Sequence, residues 1–414
     1  MKGGFFKVLS PEAFTTLLNG FAPLAAEIVP LGQLLHRVLA TDVAAHEDLP
    51  LVDRSCMDGF AVRARDVFGA SEANPAYLEQ MAELSINEQP TFTLGPGQCA
   101  AIVTGGTLPQ GADAVIMVEH TAALGAGTIE FRKSTAPADH VMLRGEDAQA
   151  GHTALSAGTV LRPQEIGLLA ALGYEQASVH SQPRVGILST GDELVPVAET
   201  PRPGQVRDVN SHTLAALVRT AGGIPTLYGL VRDEEQALQD ALARAVSEND
   251  VVLISGGSSV GLRDLTQGAI EALPDSKILA HGVAISPGKP TILARVGPKP
   301  VFGLPGQVTS AQVVMLTFGC PLLRHLAGDP AAFDPTRRRT RSARLARNVH
   351  SKPGREDYLR VRLEHTSPDD ITAIPLLGKS GLLGTLVQAQ GLVRIPADSE
   401  GLEAGAAVDV WLME

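Results

Sequence analysis

The sequence predicts a multidomain α/β protein built round a doubly wound sheet, and three observations carry that prediction. Between 183 and 328, strand-like apolar runs alternate with helical segments of roughly ten to fifteen residues. Within that region Asp250–Gln267 reads DVVLISGGSSVGLRDLTQ, where the β-branched run Val251–Ile254 suits a buried parallel strand that breaks into a Ser/Gly loop. At 414 residues and 44% hydrophobic content, the chain is too long for one ordinary core and rich enough to bury several.

Composition narrows the function. A net charge of −11 argues against a nucleic-acid surface and an anionic membrane. An anionic ligand would then need metal ions or locally placed Lys and Arg to offset repulsion. Cys56, Cys99 and Cys320 lie far apart, without metal-ligand spacing or a disulfide framework, and read as small buried hydrophobes in a reducing cytoplasm. The start MKGGFFKVLS lacks the apolar region of a signal peptide, and no apolar run reaches membrane-spanning length. A cytoplasmic chain is expected.

Taken in order, Ser10-Pro11-Glu12 opens a helix, and Leu17, Leu18, Leu31, Leu34, Leu35, Val38 and Leu39 predict two helices over 10–40. A polar loop with Asp53, Arg54, Ser55 and Asp58-Gly59 precedes a strand at Phe60–Val62. It fits a plain turn and, crowded with charge, a functional loop. From about 70 to 147, short strands separated by glycine predict a small β domain that includes the Gly-rich loop after Thr104, a surface His120, and Arg144–Asp147. A helix follows at about 163–172.

The α/β region opens with a strand, Val185–Leu188, that ends in Ser189-Thr190-Gly191-Asp192-Glu193. Asn210 or Ser211 caps the next helix and Gly222-Gly223 stops it. Strand Ile224–Val231 leads to Arg232-Asp233-Glu234-Glu235, acids that favour a helix start. After Val251–Ile254, Gly256 and Gly257 allow φ > 0, so backbone N–H groups converge into an anion nest with Ser255, Ser258 and Ser259. Gly261 follows, and a helix starts near Asp264. A tight turn without ligand is the plainer alternative. Strand Ile278–Ile285 leads to Ser286-Pro287-Gly288-Lys289 and strand Pro300–Leu304 to Pro305-Gly306-Gln307. A long apolar helix then runs to about 326. Short alternating segments from 329 predict another β domain, with Arg337–Arg339 on a solvated strand edge.

In a parallel sheet these loops share one carboxyl edge. Lys289 sits in a stiff Pro/Gly loop suited to phosphate, and Asp192, Glu193, Asp233 and Asp264 beside a phosphate nest suit Mg²⁺. Neither a Ser/His/Asp triad nor a lysine-bearing Walker A loop is present.

Seven stretches in fixed order, SCMDGFAVR, TGGTLPQGADAVIMVE, RGEDAQAG, PRVGILSTGDELV, the Gly256-Gly257 loop, SPGKPT and GLPG, resemble the MoeA-type molybdopterin molybdenumtransferases, a family that includes the gephyrin E domain. The tail SKPGREDYLRV resembles the family's last domain. The resemblance implies four parts. An elongated α+β domain comprises 1–48 and 148–182, with a β domain inserted at 49–147. A doubly wound molybdopterin-binding α/β domain (183–328) and a C-terminal β barrel (329–414) follow.

It further implies a homodimer whose site is shared between subunits. Asp58, Thr104 and Asp147 would come from the partner's half. Glu193, Asp233 and Asp264 would be the acidic, metal-holding positions, and Lys289 the last lysine of the family's KPGKP loop. Thr190, Gly191, Asp192, Ser255, Gly256, Gly257, Ser258, Ser259, Gly261, Ser286, Pro287, Gly288, Pro305 and Gly306 would contact the pterin. The implied reaction joins molybdate to the dithiolene of adenylylated molybdopterin, with Mg²⁺-dependent loss of AMP. The molybdopterin adenylyltransferase is an implied partner.

The sequence departs from the family pattern at Ser286 (usually Lys), Leu265 (usually aromatic), Gln307-Val308 (usually Asn-Pro), and Gly378-Lys379-Ser380-Gly381, which lacks a histidine. These departures keep open a molybdopterin-binding scaffold with little catalysis and a tungstate-preferring enzyme. A nucleotide-pyrophosphate hydrolase or adenylyltransferase on the same α/β module is a further alternative.

Overall fold

The computed structural model describes residues 8–256, 260–367 and 370–413, with backbone alone for 260–264, 366, 367 and 370. The chain divides into two compact units: Met1–Ile28, His36–Ala40 and Ser178–Glu414 form one, and Val29–Leu35 and Thr41–Ala177 the other. Helix α1 (Pro11–Asn19) starts as expected, with Ser10 Oγ accepting from the Ala13 N–H at 3.2 Å. The second helix expected before residue 40 is absent. Leu31–Gln33 make one 3₁₀ turn, and Leu34, Val38 and Leu39 are buried from irregular chain. Pro30 and Gly32 both disfavour a helix there, and tertiary burial satisfies the apolar pattern without one.

The second unit carries a six-stranded sheet of β1 (Gly59–Val62), β2 (Ala76–Leu84), β3 (Gln98–Ile102), β4 (Ala114–Met117), β5 (Thr121–Gly125) and β6 (Thr128–Phe131), in the order β4-β1-β3-β2-β6-β5. Alternate side chains feed two cores, Val62, Cys99, Ile116 and Phe131 in one and Ala61, Ala100, Ile102 and Val115 in the other. Burial pushes the Cys99 thiol up to about 12, as befits an inert core residue. Helix α2 (Pro163–Ala171) packs Leu168 with Leu49 and Tyr174 against Ala45 and Leu172.

In the first unit, the central sheet is built from β7 (Arg184–Thr190), β8 (Ile224–Val231), β9 (Val251–Ser255), β10 (Ser276–His281), β11 (Ile292–Val296) and β12 (Lys299–Leu304). Its order is β8-β7-β9-β12-β11-β10. Helices α3 (Asn210–Thr220), α6 (Val308–Val314) and α7 (Cys320–Leu326) cover one face. There Leu214, Val218, Val314 and Leu322 share a core with Val185, Ile187, Leu253 and Phe302. On the other face α4 (Glu235–Glu248) and α5 (Val260–Glu271) bring Leu238, Leu242, Ala269 and Ile270 against Leu188, Val252 and Ile254. The doubly wound reading holds: successive side chains of the central strands point to opposite faces, and helices bury both.

Three details differ. Strand β11 is antiparallel to both neighbours, so the sheet is mixed, and the expected strand 278–285 ends at His281. Ile285-Ser286 instead pair with a barrel strand. The missed signal was Gly297-Pro298-Lys299-Pro300, which turns β11 straight back into β12. Helix α5 begins at Val260 rather than near Asp264. The long apolar helix to 326 is continuous but contains a π turn at Met315–Gly319. Pro321 has no N–H to give the Thr317 carbonyl, which accepts from Arg338 Nη2 at 3.2 Å instead. Arg338 is therefore no solvated edge; its guanidinium lies 3.9 Å from the centroid of the Trp411 ring.

The C-terminal segment forms β13 (Thr340–Leu345), β14 (Glu356–Ser367), β15 (Asp370–Pro375), α8 (Leu383–Gln388), β16 (Gly391–Ile395) and β17 (Ala407–Leu412). The strands run β14-β15-β13-β17-β16, and β16 pairs back with β14 to close a five-stranded barrel. Val361, Ala373, Val393 and Val410 fill it.

Candidate functional site

At the carboxyl edge of the central sheet, β7 and β9 end side by side, with Ser189 opposite Ser255. Gly256 follows β9 so closely that a Cβ there would stand 2.4 Å from the Thr190 carbonyl oxygen and 2.6 Å from Thr190 Cγ2. Close approach rather than a left-handed backbone explains this glycine, which corrects the expectation of φ > 0 at Gly256. Gly257, Ser258 and Ser259 lie outside the described residues, and so do the side chains of Gly261's neighbours through Asp264.

The edge opens into a cleft of about 270 Å³, lined by Thr190, Glu193, Arg207, Asn210, Ser255, Gly256, Gly306 and Gln307, with Gly381 and Leu383 from the barrel segment. Thr190 hydroxyl donates to Asp233 Oδ1. The Asp192 amide donates to Asp233 Oδ2 at 3.1 Å, and the Asp233 amide returns a 3.4 Å bond to Asp192 Oδ1. The loops after β7 and β8 are thus joined at their acids. Glu193 folds back, so that a Cβ on Gly191 would meet its Oε2 at 2.8 Å.

Asn210 is the residue that reading the sequence as a helix cap misplaced. Its Nδ2 donates to Ser255 Oγ at 2.6 Å and to the Gly306 carbonyl at 2.8 Å, so it ties three loops together. The cap position is Val209, and the side chain that serves the first turn is Asp208 before it, whose Oδ1 accepts from the Ser211 amide at 3.1 Å and from Ser189 Oγ at 3.1 Å. Arg207 and Asp208 were both passed over. The available signal was a charged pair directly ahead of the α3 start.

Ser286, Pro287, Gly288 and Lys289 are not among the cleft's lining residues. Thr291 Oγ1 donates to the Gly288 carbonyl at 2.7 Å, which stiffens that loop, and Lys289 is exposed on it. Pro305 is buried beside Gly306. Gln307, at the start of α6, accepts from Ser380 Oγ, and the Thr309 amide donates to the Ser380 carbonyl at 3.1 Å.

The second unit gathers its own set. Thr104 donates to Asp58 Oδ1 through its amide (2.6 Å) and its hydroxyl (2.9 Å). Those bonds, the backbone one first, hold the Asp58 carboxyl below the usual aspartate range. The Ser55 amide bonds the Gly106 carbonyl (2.9 Å) and the Arg144 amide bonds Asp53 Oδ1 (2.8 Å), so the Asp58, Thr104 and Asp147 loops adjoin. Asp147 is fixed by its amide to the Leu49 carbonyl at 2.9 Å, with its side chain exposed.

Among the described residues no three His, Cys, Asp or Glu side chains form a ready cation cage. Glu193 and Asp233 sit on adjoining loops, whereas the Asp264 side chain lies outside the described residues. No helix among them is long and apolar enough to cross a membrane.

Residues 10–173 match the family model of the MoeA N-terminal region (domains I and II), 186–325 a probable molybdopterin-binding domain, and 342–413 the MoeA C-terminal region (domain IV). The chain is 37% identical over 388 residues to the molybdopterin molybdenumtransferase of Nostoc sp., covering 92% of this chain and 87% of that one. Its identity to molybdopterin molybdenumtransferase 2 of Mycobacterium tuberculosis is 35%, over 92% and 94% of the two chains. A crystal structure of the MoeA protein from Pyrococcus horikoshii superposes with a TM-score of 0.81 at 30% identity, over 98% of this chain and 100% of that one.

Proposed function

The chain belongs to the MoeA family, and from that premise we propose that it is a molybdopterin molybdenumtransferase of molybdenum cofactor biosynthesis. Its reaction inserts molybdate into adenylylated molybdopterin with release of AMP. The observation that carries the reading is the cleft at the carboxyl edge, where the Thr190, Ser255 and Gly306 loops converge on Glu193 and Asn210.

The donor chemistry suits Mg²⁺, because Asp192, Glu193 and Asp233 offer oxygen ligands from adjoining loops beside the cleft; with no three of the described acids gathered as a cage, substrate phosphate oxygens would complete the ion's shell. Glu193 and Asp233 would hold the ion together with Asp264. When bound, it supplies charge neutralisation at the phosphoanhydride oxygens. The chain's own residues position the substrate. Thr190 fixes the Asp233 carboxylate through its hydroxyl, and Asn210 holds Ser255 and Gly306 at a constant spacing. Ser255 Oγ, already an acceptor from Asn210, keeps its proton to donate to a substrate oxygen. The enzyme works as a cytoplasmic homodimer, in which Asp58, Thr104 and Asp147 of one subunit complete the cleft of the other. Asp58, kept ionised by Thr104, enters that site as an anion.

The test is AMP release from adenylylated molybdopterin with Mg²⁺ and either molybdate, tungstate or neither. Oxyanion-dependent release, abolished in Asp58→Asn, is the expected outcome, and the better oxyanion identifies the metal. Tight pterin binding with no release under any condition would leave only a binding protein.

A further inference from the structure

Arg207 stands on the cleft wall next to Val206, whose amide donates to the Glu193 carbonyl at 2.8 Å. Its Nε donates to two backbone carbonyls at once, Val197 and Glu199, each at 3.0 Å. That anchors the base of the guanidinium. The two terminal nitrogens have no protein acceptor and no carboxylate at ion-pair distance among the described residues.

Arg207 is also the one basic residue among the described residues that line the cleft. Neither acid beside it is paired with it. Asp208 accepts from Ser189 Oγ and the Ser211 amide, and Glu193 bends over Gly191. The cleft is also lined by Ser255, whose hydroxyl accepts from Asn210 and keeps its proton to donate. A planar fork with both outer nitrogens free matches two oxygens of a phosphate. In a chain of net charge −11, such a local cation is what makes an anionic ligand tolerable.

We propose that Arg207 is the anion-binding residue of this cleft and grips a phosphate ester or anhydride through Nη1 and Nη2. Naming that ligand as the phosphate of the pterin substrate rests on the function proposed above; the anion site itself rests on the arginine's geometry.

The experiment titrates the full-length protein with inorganic pyrophosphate by calorimetry, at two salt concentrations, for wild type, Arg207→Ala, Arg207→Lys and the control Arg202→Ala. Arg202 is exposed nearby but lines no part of the cleft. Arg207→Ala is expected to weaken binding about tenfold or more, the scale of a lost charge-assisted pair, and to flatten its salt dependence. Arg207→Lys recovers part of the affinity, as a point charge lacks the fork. In the AMP-release assay, KM rises in Arg207→Ala while kcat holds. Absence of pyrophosphate binding by wild type, equal binding by wild type and Arg207→Ala, or an equal loss in Arg202→Ala would each overturn the inference. Loss of pyrophosphate binding in Arg207→Ala, in a protein whose wild type shows no oxyanion-dependent AMP release, upholds the anion site and removes the transferase reading instead.

Discussion

Asp58 Oδ1 accepts two hydrogen bonds from a single residue, the Thr104 amide at 2.6 Å and the Thr104 hydroxyl at 2.9 Å. Both stabilise the carboxylate, so its folded pKa is depressed and the stabilisation is complete above the unfolded value of about 3.9. It is lost as pH falls through the lower folded value. Thr104→Val removes the hydroxyl bond and keeps the amide bond. The Asp58 pKa should then rise part of the way back, as read from its carboxyl carbon shift in an NMR titration. Thr104→Ser should restore the low value. An unchanged pKa in the valine variant would show that the amide bond alone sets it.

Gly256→Ala places a Cβ 2.4 Å from the Thr190 carbonyl, a backbone atom that cannot rotate away. The strand ends must part, at a cost of about 1–3 kcal/mol. Because Thr190 also holds Asp233, AMP release should fall well beyond what the loss of folded protein explains. Wild-type activity in a variant of unchanged denaturation midpoint would refute the close packing.

Asn210→Ala deletes both bonds that link α3 to Ser255 and Gly306 and leaves the half-buried Gly306 carbonyl without that donor. About 1–3 kcal/mol of stability should be lost, with a rise in KM for the pterin. Denaturant unfolding and steady-state kinetics read the two effects separately. A stability loss with no kinetic change would make Asn210 a purely structural tie.

Phe318 separates core from site. Its ring centroid lies 4.8 Å from that of Phe14, in the core that also buries Phe302. Phe318→Ala should cost about 3–5 kcal/mol and leave the activity per folded molecule unaltered. A loss below about 1 kcal/mol in urea denaturation would mean that the π turn collapses into the cavity.

The proposal that subunits share their sites predicts complementation. Asp58→Asn and Asp233→Asn homodimers should each be inactive in AMP release. Random exchange of their subunits should recover about a quarter of wild-type activity, since half the dimers are mixed and each mixed dimer holds one intact site. No recovery, with exchange verified by native mass spectrometry, would place both acids in one subunit's site.

The local grammar of the central domain was legible from the chain alone. Continuous apolar runs buried on both faces marked the strands β7, β9 and β12, acids after β8 marked the start of α4, and Ser10 announced α1. Strand burial and helix capping are short-range properties, satisfied within a few residues of where they are written. The motif order likewise carried the family. What the sequence alone could not decide was which partner each polar group would take. Asn210 was legible as a helix residue, yet its amide spans to Ser255 and Gly306. Arg207 reads as a surface charge until Val197 and Glu199 fold back to hold its Nε. Arg338 likewise reads as solvated, until Pro321 leaves a carbonyl for it to fill. These pairings join residues tens of positions apart in Asn210 and Arg338, and their geometry exists only once the sheet edge and the π turn have formed. The chain's chemistry was written locally, and its assignment to a site was settled by long-range packing.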